Sequence, residues 1–310
     1  MARVVFMGTP QFAVPALQAL DEHHQVVGVV TQPDRRAGRG RKLVESPVKQ
    51  AAQERGLDLF QPTSLRVPEA VAPLAAWRPE IIVVAAFGQL LPAAVLDLPP
   101  HGCLNVHASL LPCYRGAAPI AAAILNGDEV TGITIMQMDE GLDTGPILAQ
   151  ANCPIAPDDT TGSLTVKLAE LGAQLLTQTL GSWLTSSVQA RPQDETQATY
   201  CDQLTKEDGR LDWNQSAAYL DRQVRACDPW PGAHTTWQGQ GLKVLRARPL
   251  PDWQGEGQPG RVQQMGTGIG AVTGAGALQL LEVQLAGKKP MPAGQFARGQ
   301  RDLVGGQLGA

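Results

Sequence analysis

An alternation of short apolar runs with helix-length segments constrains the fold most strongly. Residues 2–6 form an apolar run that ends at Gly8, residues 13–20 have helical spacing, and residues 25–30 form a second apolar run. Later apolar runs lie at residues 81–86, 104–106 and 133–138. Strands that alternate with helices predict a mostly parallel sheet covered on both faces. Ligands of such sheets bind beyond the carboxyl ends of the strands, so the loops there are candidate sites.

The second half of the chain has a different pattern. The leucine spacing of residues 161–183 predicts a long amphipathic helix, and the polar, aperiodic residues 186–199 indicate a linker. A further helix is predicted over residues 215–226, followed by β-like pieces between glycine and proline turns. These pieces lie at residues 234–237, 242–247, 260–264, 271–273 and 277–283. Their spacing favours a small all-β barrel, for which an oligonucleotide-binding (OB) type of fold is one candidate.

These patterns predict two domains within the 310 residues. An α/β domain with a Rossmann-like, mostly parallel sheet is expected over residues 1–188, a linker over residues 189–205, and an OB-like β-barrel domain over residues 206–310. The chain contains no apolar run of about eighteen residues, so no membrane span is expected. A two-domain monomer would meet every requirement of this organisation.

Cysteine spacing and charge narrow the class of protein. The five cysteines are scattered, with no Cys-x-x-Cys pair and no histidine at metal-ligand spacing, so we expect reduced thiols, a cytoplasmic protein and no metal site. The net charge is −4, but residues 206–310 hold twelve of the 25 Lys and Arg and nine of the 29 Asp and Glu. That part has a net charge of +3, against −7 for residues 1–205. It is the better candidate for contact with a polyanion, although a surface without such a partner would explain the same imbalance.

The most informative stretch is GCLNVHASLLPCYRGAAP, residues 102–119. Asn105 and His107 flank Val106 on a predicted strand, and strand alternation places both polar side chains on one face. An amide that donates to a developing oxyanion, beside an imidazole that donates or moves a proton, suits acyl transfer. Taken alone, Asn-x-His is equally typical of a structural polar pair that backbone groups satisfy.

A second stretch, MQMDEGLDTGPIL at residues 136–148, combines a predicted strand with an acidic, glycine-rich turn. Such a turn can bring one carboxylate back toward the end of the sheet, where it would favour protonation of a nearby imidazole. We single out Asp143 because it lies between Gly141 and Gly145. A solvated surface loop is the alternative interpretation of the same residues.

A third stretch, DRRAGRGRKL at residues 34–43, concentrates five basic side chains among glycines. Because it lacks apolar periodicity, it is predicted to be a mobile basic loop that becomes ordered on a phosphate backbone. A loop that is merely solvated is the alternative. The basic residues of the C-terminal part are dispersed, which suits contacts with phosphates better than contacts with base edges.

Together, NVHASLLPCYRGAAPI and MQMDEGLDTGPIL resemble the signature of formyl-tetrahydrofolate-dependent formyltransferases. The resemblance extends from about Val4 to Arg301 through the stretches MGTPQFAVPAL, VVTQPDRRAGRGRKL, SPVK, VVAAFGQLLP and WPGAHT, and it is greatest to members that act on methionyl-tRNA. It implies a Rossmann-like catalytic domain, a linker and an OB-like domain that holds tRNA. It also implies transfer of a formyl group from the co-substrate 10-formyltetrahydrofolate to the amino group of methionyl-initiator tRNA, without a metal.

Site residues follow from the same resemblance. The implied catalytic residues are Asn105, His107 and Asp143. The implied folate-binding residues are Phe87, Gly88, Gln89, Leu90, Leu91, Ser109, Leu110, Leu111, Pro112, Asp139 and Gly141. The implied tRNA-binding residues are Arg35, Arg36, Arg39, Arg41, Lys42, Lys243, Arg246, Lys288 and Lys289, with the loop around Arg39 entering the acceptor stem. In the implied reaction the neutral methionine amine attacks the formyl carbon, Asn105 and His107 hold the resulting oxygen, and Asp143 orients His107.

Three alternative functions remain at this point. A formyltransferase acting on a small amine, such as a glycinamide nucleotide or an amino sugar nucleotide, would share the three catalytic residues, as would a hydrolase of the same fold. Neither needs a basic loop combined with a basic, β-rich C-terminal part. A non-catalytic RNA-binding protein built on a nucleotide-binding scaffold would leave Asn105, His107 and Asp143 unexplained.

Overall fold

The structure is a computed structural model that describes residues 1–37 and 42–309. The chain forms two compact units. Unit 1 comprises Met1–Pro119, Val130–Pro154 and Thr165–Cys201, and unit 2 comprises Ile120–Glu129, Ile155–Leu164 and Asp202–Ala310. The last division falls between Cys201 and Asp202, and the predicted domain limits at residues 188 and 206 lie on either side of it.

Residues 1–201 contain eleven described strands and six described α-helices. The strands are β1 (Arg3–Gly8), β2 (Gln25–Val30), β3 (Arg35–Ala37), β4 (Lys42–Val44), β5 (Leu59–Phe60), β6 (Ile81–Ala85), β7 (Cys103–His107), β8 (Arg115–Gly116), β9 (Val130–Gln137), β10 (Ile147–Pro154) and β11 (Tyr200–Cys201). The helices are α1 (Val14–His23), α2 (Pro47–Glu54), α3 (Pro68–Ala76), α4 (Ala93–Leu96), α5 (Pro119–Asn126) and α6 (Thr161–Leu184). Most of α5 and the start of α6 belong to unit 2.

The main sheet of unit 1 has the strand order β10-β9-β7-β6-β1-β2-β5. The five strands from β7 to β5 are parallel, whereas β9 is antiparallel to both β7 and β10. Every residue of β6 and β7 is buried, as expected of strands covered on both faces. The predicted mostly parallel α/β sheet is therefore confirmed.

The direction of β9 positions the acidic turn that follows it. Because β9 runs antiparallel to β7, the turn begins beside the start of β7, where Met138 N donates to Cys103 O at 2.8 Å. The turn then leads into β10, which returns along β9. Residues 138–146 can in this way lie against the polar side chains of β7.

Two short strand pairs lie outside the main sheet. β8 pairs with β11 in parallel, and β3 pairs with β4 in an antiparallel hairpin. The basic stretch was predicted to lack regular structure, but its described ends form this hairpin, in which Arg35 pairs with Val44. Arg39 and Arg41 lie outside the described residues.

Unit 2 contains a mainly antiparallel β-structure together with helices. Its strands are β12 (His234–Trp237), β13 (Gln240–Leu250), β14 (Val262–Met265), β15 (Gly268–Val272), β16 (Ala277–Leu285) and β17 (Met291–Pro292), and its helices include α7 (Ala217–Ala226) and α8 (Ala293–Gly299). The strand order is β12-β13-β16-β15-β14, with β17 also paired to β16. Trp237, Leu242, Val283 and Phe296 are part of the buried core. The predicted β-rich C-terminal domain is confirmed. Among the described helices, none is long and apolar enough to cross a membrane.

Candidate active site

The three predicted catalytic side chains converge at the end of β7. Asn105 and His107 point to the same side of the strand and are buried, at 9% and 6% exposure. Asn105 Nδ2 donates to Asp143 Oδ1 at 3.4 Å, and His107 Nδ1 lies 3.7 Å from Asp143 Oδ2. The alternation of β7 and the turn after β9 thus bring three polar groups together, although Asn105 and Asp143 are 38 residues apart along the chain.

Backbone groups of residues 114–116 fix two of these side chains. Gly116 N donates to Asp143 Oδ2 at 2.8 Å, so the carboxylate receives a backbone hydrogen bond in addition to that of Asn105. His107 Nε2 lies 3.0 Å from Tyr114 O, and the Nε2–H tautomer satisfies this carbonyl. The imidazole is therefore held at one nitrogen by the backbone and faces the carboxylate with the other.

The turn that carries Asp143 has a constrained backbone. Asp143 has a φ of 53°, in the left-handed region that non-glycine residues seldom adopt. Within the turn, Asp139 Oδ1 accepts hydrogen bonds from Gly141 N (3.0 Å) and Thr144 Oγ1 (2.7 Å). A Cβ atom at Gly145 would collide with the carbonyl oxygen of Gln137, so the chain needs glycine there. The acidic turn is exposed at residues 139–142, but internal hydrogen bonds hold its conformation.

This arrangement can stabilise negative charge and move a proton. Asn105 supplies a fixed amide donor, and His107 supplies an imidazole that can donate or exchange a proton. Asp143 is an acceptor that orients both groups. Such a set suits attack of a nucleophile on an acyl carbon, because charge develops on the acyl oxygen during that attack.

The predicted folate-binding residues lie in two loops and in the acidic turn. Ser109 is fully buried and its hydroxyl donates to Cys113 O at 2.6 Å, so it shapes its own loop. Gln89 is likewise engaged within the protein, with hydrogen bonds to Leu65 N (3.0 Å) and Pro62 O (3.1 Å). Leu90 is 59% exposed, which leaves its side chain accessible to a ligand.

Two side chains that lie just after β1 and β2 hold the loop at residues 87–91. The carbonyl of Phe87 accepts hydrogen bonds from Thr9 Oγ1 at 3.0 Å and from Gln32 Nε2 at 3.3 Å. Phe87 and Leu91 are buried in an apolar cluster against which Met138 packs. The loop and the start of the acidic turn therefore share one apolar support.

A cavity of about 690 Å³ lies beside the start of the acidic turn. Partly exposed Leu96 and Met138 and buried Cys103 form an apolar part of its lining, and exposed Asp139 and Glu140 form an acidic part. Asp139 is the only predicted folate residue among the residues that line this cavity. Within residues 1–37 and 42–309, no group of three or more His, Cys, Asp or Glu side chains is arranged to hold a metal ion.

The predicted tRNA-binding residues are distributed over both units. Arg35 is exposed on β3, and the side chains of Arg36 and Lys42 are not described. Lys243 and Arg246 are exposed on β13. Lys288 and Lys289 are exposed in the connection between β16 and β17, so the four predicted tRNA-binding residues of unit 2 are accessible to a polyanion.

Sequence reasoning assigned no role to one buried charge near the site. Arg115 is fully buried and forms an ion pair with Glu195 at 2.7 Å. It lies within the motif NVHASLLPCYRGAAPI, but the motif does not reveal that its guanidinium is buried. A lone arginine between tyrosine and glycine is typical of a solvated position, so no local signal could have identified it.

Comparisons with other proteins show the family of the chain. Residues 2–180 match the Formyl transferase family, and residues 203–301 match the Formyl transferase C-terminal domain. A methionyl-tRNA formyltransferase from Roseiflexus castenholzii is 50% identical over 309 residues, which are 99% of each chain. A methionyl-tRNA formyltransferase from Hydrogenovibrio crunogenus is 49% identical over 99% of this chain and 98% of its own.

Solved structures share the fold at low sequence identity. An N-formyltransferase from Helicobacter canadensis, in complex with folinic acid and dTDP-3-aminofucose, has a TM-score of 0.65 and 16% identity over 90% of this chain and 99% of its own. HypX from Aquifex aeolicus, in complex with tetrahydrofolic acid, has a TM-score of 0.62 and 19% identity over 98% of this chain. The chain spans about half the length of HypX, 48% of that chain. Its matches in sequence and in fold cover both units, and the chain belongs to the Formyl transferase family.

Proposed function

We propose that this chain transfers a formyl group from 10-formyltetrahydrofolate to the free amino group of methionyl-initiator tRNA, in support of translation initiation. The observation that carries the proposal is the 50% identity with a methionyl-tRNA formyltransferase over 99% of both chains. The convergence of Asn105, His107 and Asp143 supports it, because these chemical groups suit acyl transfer.

In the proposed mechanism, 10-formyltetrahydrofolate supplies the formyl carbon that the neutral methionine amine attacks. Asn105 Nδ2 donates to the oxygen on which charge develops, and His107 Nδ1 donates to it after taking up the proton of the attacking amine. Asp143 keeps both donors in place through its contacts at 3.4 and 3.7 Å. It also accepts a proton from the amine, directly or through His107, so that the proton can pass to the leaving nitrogen.

We assign the cavity beside the acidic turn to the flat ring of the folate. Leu96, Cys103 and Met138 offer an apolar surface, and Asp139 and Glu140 offer acceptors at the edge. A ring system with N–H donors at its rim matches this combination. We assign the loop at residues 87–91 and residues 109–112 to the same binding region as part of the proposal.

The tRNA would be held by phosphate contacts from the basic residues. We assign this role to Arg35, Arg36, Arg39, Arg41 and Lys42 in the basic stretch. In unit 2 we assign it to Lys243, Arg246, Lys288 and Lys289. The affinity that such contacts provide falls steeply as the salt concentration rises, because each contact releases counterions.

We also infer that the protein acts as a monomer in the cytoplasm. The five cysteines are free thiols, as expected in a reducing compartment. The proposed substrate, a charged initiator tRNA, is used where translation begins. Sedimentation at micromolar concentration would test the monomer, and a second species of twice the mass would contradict it.

The test of the proposal is transfer of labelled formyl from 10-formyltetrahydrofolate. Methionyl-initiator tRNA, uncharged tRNA, a glycinamide nucleotide and an amino sugar nucleotide are offered separately, at low and high salt. We expect label only on the charged tRNA, with strong inhibition by salt. Label on a small amine instead would keep the catalytic assignment and refute the tRNA assignment. Absence of label on every acceptor, with folded protein, would refute the proposed reaction.

The catalytic assignments are tested by Asn105→Ala and His107→Ala. Loss of one preorganised oxyanion donor costs on the order of a hundredfold to a thousandfold in turnover. We expect a decrease of that size in kcat for each variant, with the fold retained by circular dichroism. A folded variant that keeps near-normal kcat would contradict the role of its residue.

A further inference from the structure

One glutamine connects the buried Arg115 to the catalytic turn. Arg115 Nε and Nη2 donate to Gln193 Oε1 at 3.1 and 2.8 Å. Its Nη1 and Nη2 donate to the two carboxylate oxygens of Glu195 at 2.8 and 2.7 Å, and Nη1 also donates to the Tyr200 hydroxyl at 3.3 Å. A guanidinium has five N–H donors, so each of them has an acceptor. The fully buried cation is therefore fixed in position.

The same glutamine holds the backbone of the turn. Gln193 Nε2 donates to Asp143 O at 2.8 Å and to Gly145 O at 2.7 Å. Because the guanidinium only donates, the amide oxygen of Gln193 must face Arg115, and the NH₂ group must face the turn. Gln193 thus has one satisfied orientation, in which it joins the buried cation to the carbonyls on either side of Thr144.

These contacts act on Asp143, which has an unfavourable backbone conformation. A left-handed conformation is unfavourable for a non-glycine residue, and Asp143 adopts one, with a φ of 53°. Such a conformation persists only when the surroundings determine it. Gln193 fixes the Asp143 carbonyl, while Gly116 N fixes the carboxylate of the same residue at 2.8 Å. Arg115, which fixes Gln193, and Gly116 are consecutive residues of β8.

Gln193 lies in a segment, residues 191–201, that follows the catalytic elements; we call it the strap. Arg191 and Ile147 exchange two backbone hydrogen bonds, at 2.7 and 2.8 Å, just after the catalytic turn. At the other end, Arg115 N donates to Thr199 O at 2.8 Å, and β11 pairs with β8. The strap is therefore attached on both sides of Gln193 and can hold its side chain at a fixed distance from the turn.

We propose that Gln193 is a positioning residue for formyl transfer: it holds the Asp143 backbone so that the carboxylate stays against Asn105 and His107. Arg115 and Glu195 act one step further away, by fixing Gln193. The hydrogen bonds from Arg115 lower the pKa of the Glu195 carboxyl, which keeps it charged opposite the buried cation. One test of this inference measures formylation and rests on the proposed function. The other measures hydrogen–deuterium exchange and does not.

Two variants separate positioning from support of Arg115. Gln193→Leu removes both the acceptor for Arg115 and the two donors to the turn. Gln193→Glu keeps an acceptor for Arg115, removes the two donors to the turn and sets a carboxylate oxygen against the Asp143 and Gly145 carbonyls. Gln197→Leu and Gln197→Glu are matched controls in the strap, because Gln197 is exposed and, among the residues that the structure describes, its side chain donates only to Asp194, at 2.7 Å.

The first measurement is steady-state formylation of methionyl-initiator tRNA. Misplacement of a reacting group by about 1 Å can cost on the order of a hundredfold, so we expect kcat to fall about 10- to 100-fold in both Gln193 variants. We expect KM to change less than about threefold, since Gln193 does not touch the substrates in this proposal. Both Gln197 controls should keep the kcat of the unmodified chain.

The second measurement tests whether the effect passes through Asp143. In an Asp143→Asn background, Gln193→Leu should change kcat less than about threefold, because two residues that act through one contact are not additive. Hydrogen–deuterium exchange at the Gly116 amide, which donates to Asp143, should rise about tenfold in both Gln193 variants and stay unchanged in the controls.

Each readout can overturn the inference. Unchanged exchange at Gly116 in Gln193→Glu would show that Gln193 does not position the carboxylate, whatever the activity. A kcat equal to that of the Gln197 controls, or a full effect in the Asp143→Asn background, would contradict action through Asp143. Failure of the unmodified chain to formylate any acceptor would refute the proposed function, and the exchange measurement would still decide the positioning role.

Discussion

Replacing Asp143 with asparagine changes one oxygen into an amino group at the centre of the site. Three groups face the carboxylate: Gly116 N at 2.8 Å, Asn105 Nδ2 at 3.4 Å and His107 Nδ1 at 3.7 Å. The first two are donors and contact different oxygens. An asparagine amide has only one acceptor oxygen, so in either orientation its NH₂ group faces one of these donors. At least one charge-assisted hydrogen bond must therefore be lost.

The size of the effect follows from this loss. A hydrogen bond to a charged group contributes about 1.5–3 kcal/mol, and about 1.4 kcal/mol corresponds to tenfold in rate, so one such loss slows turnover roughly 10- to 150-fold. We expect a decrease near 100-fold, because removal of the charge also weakens the orientation of His107. The fold should be retained, since Asp143 lies in a turn and the apolar core is unchanged.

Single-turnover formylation with saturating methionyl-initiator tRNA and 10-formyltetrahydrofolate measures this effect without a contribution from product release. Asp158→Asn is a suitable control, because Asp158 is exposed and has no role in the proposed site. We expect the control to react at the rate of the unmodified chain. An Asp143→Asn protein that is folded and reacts within threefold of that rate would refute the geometric argument.

Three further outcomes are expected. Gly145→Ala should lower both stability and kcat, because its Cβ would collide with Gln137 O. A melting temperature and a kcat equal to those of the unmodified chain would contradict the need for glycine at this position. Lys243→Gln should reduce the salt dependence of tRNA binding by about one unit in the slope of log Kd against log salt, and an unchanged slope would remove Lys243 from the interface. Burial raises the pKa of the Cys103 thiol to about 12. At about pH 8.5, iodoacetamide should therefore label Cys103 at least about tenfold more slowly than half-buried Cys113. Equal labelling rates would contradict the burial of Cys103.

The main elements of the fold could be predicted from local patterns. β2 was predicted over residues 25–30 and is Gln25–Val30, and the long helix predicted over residues 161–183 is Thr161–Leu184. Both follow from periodicity, which a few neighbouring residues are sufficient to define. The hairpin of β3 and β4 was not predicted, because three-residue strands are too short to show a period.

Part of the candidate site was also accessible from sequence. Alternation placed Asn105 and His107 on one face of a strand, and the resemblance to formyltransferases singled out Asp143. The sequence could not show that Gly116 N contacts the Asp143 carboxylate, because that contact joins residues 27 positions apart. The roles of these residues and the assigned folate and tRNA contacts stay predictions until variants are measured.

The sequence by itself determined the order of the longer strands and helices, the polar residues at the end of β7 and the family to which the chain belongs. Each of these depends on periodicity or on a contiguous motif. Only the tertiary structure decided that Arg115 is buried, that Gln193 bridges it to the catalytic turn, and that residues 191–201 are attached to the site. Such contacts arise when distant segments fold together, and a polar side chain in an aperiodic segment has no local signature of its partner.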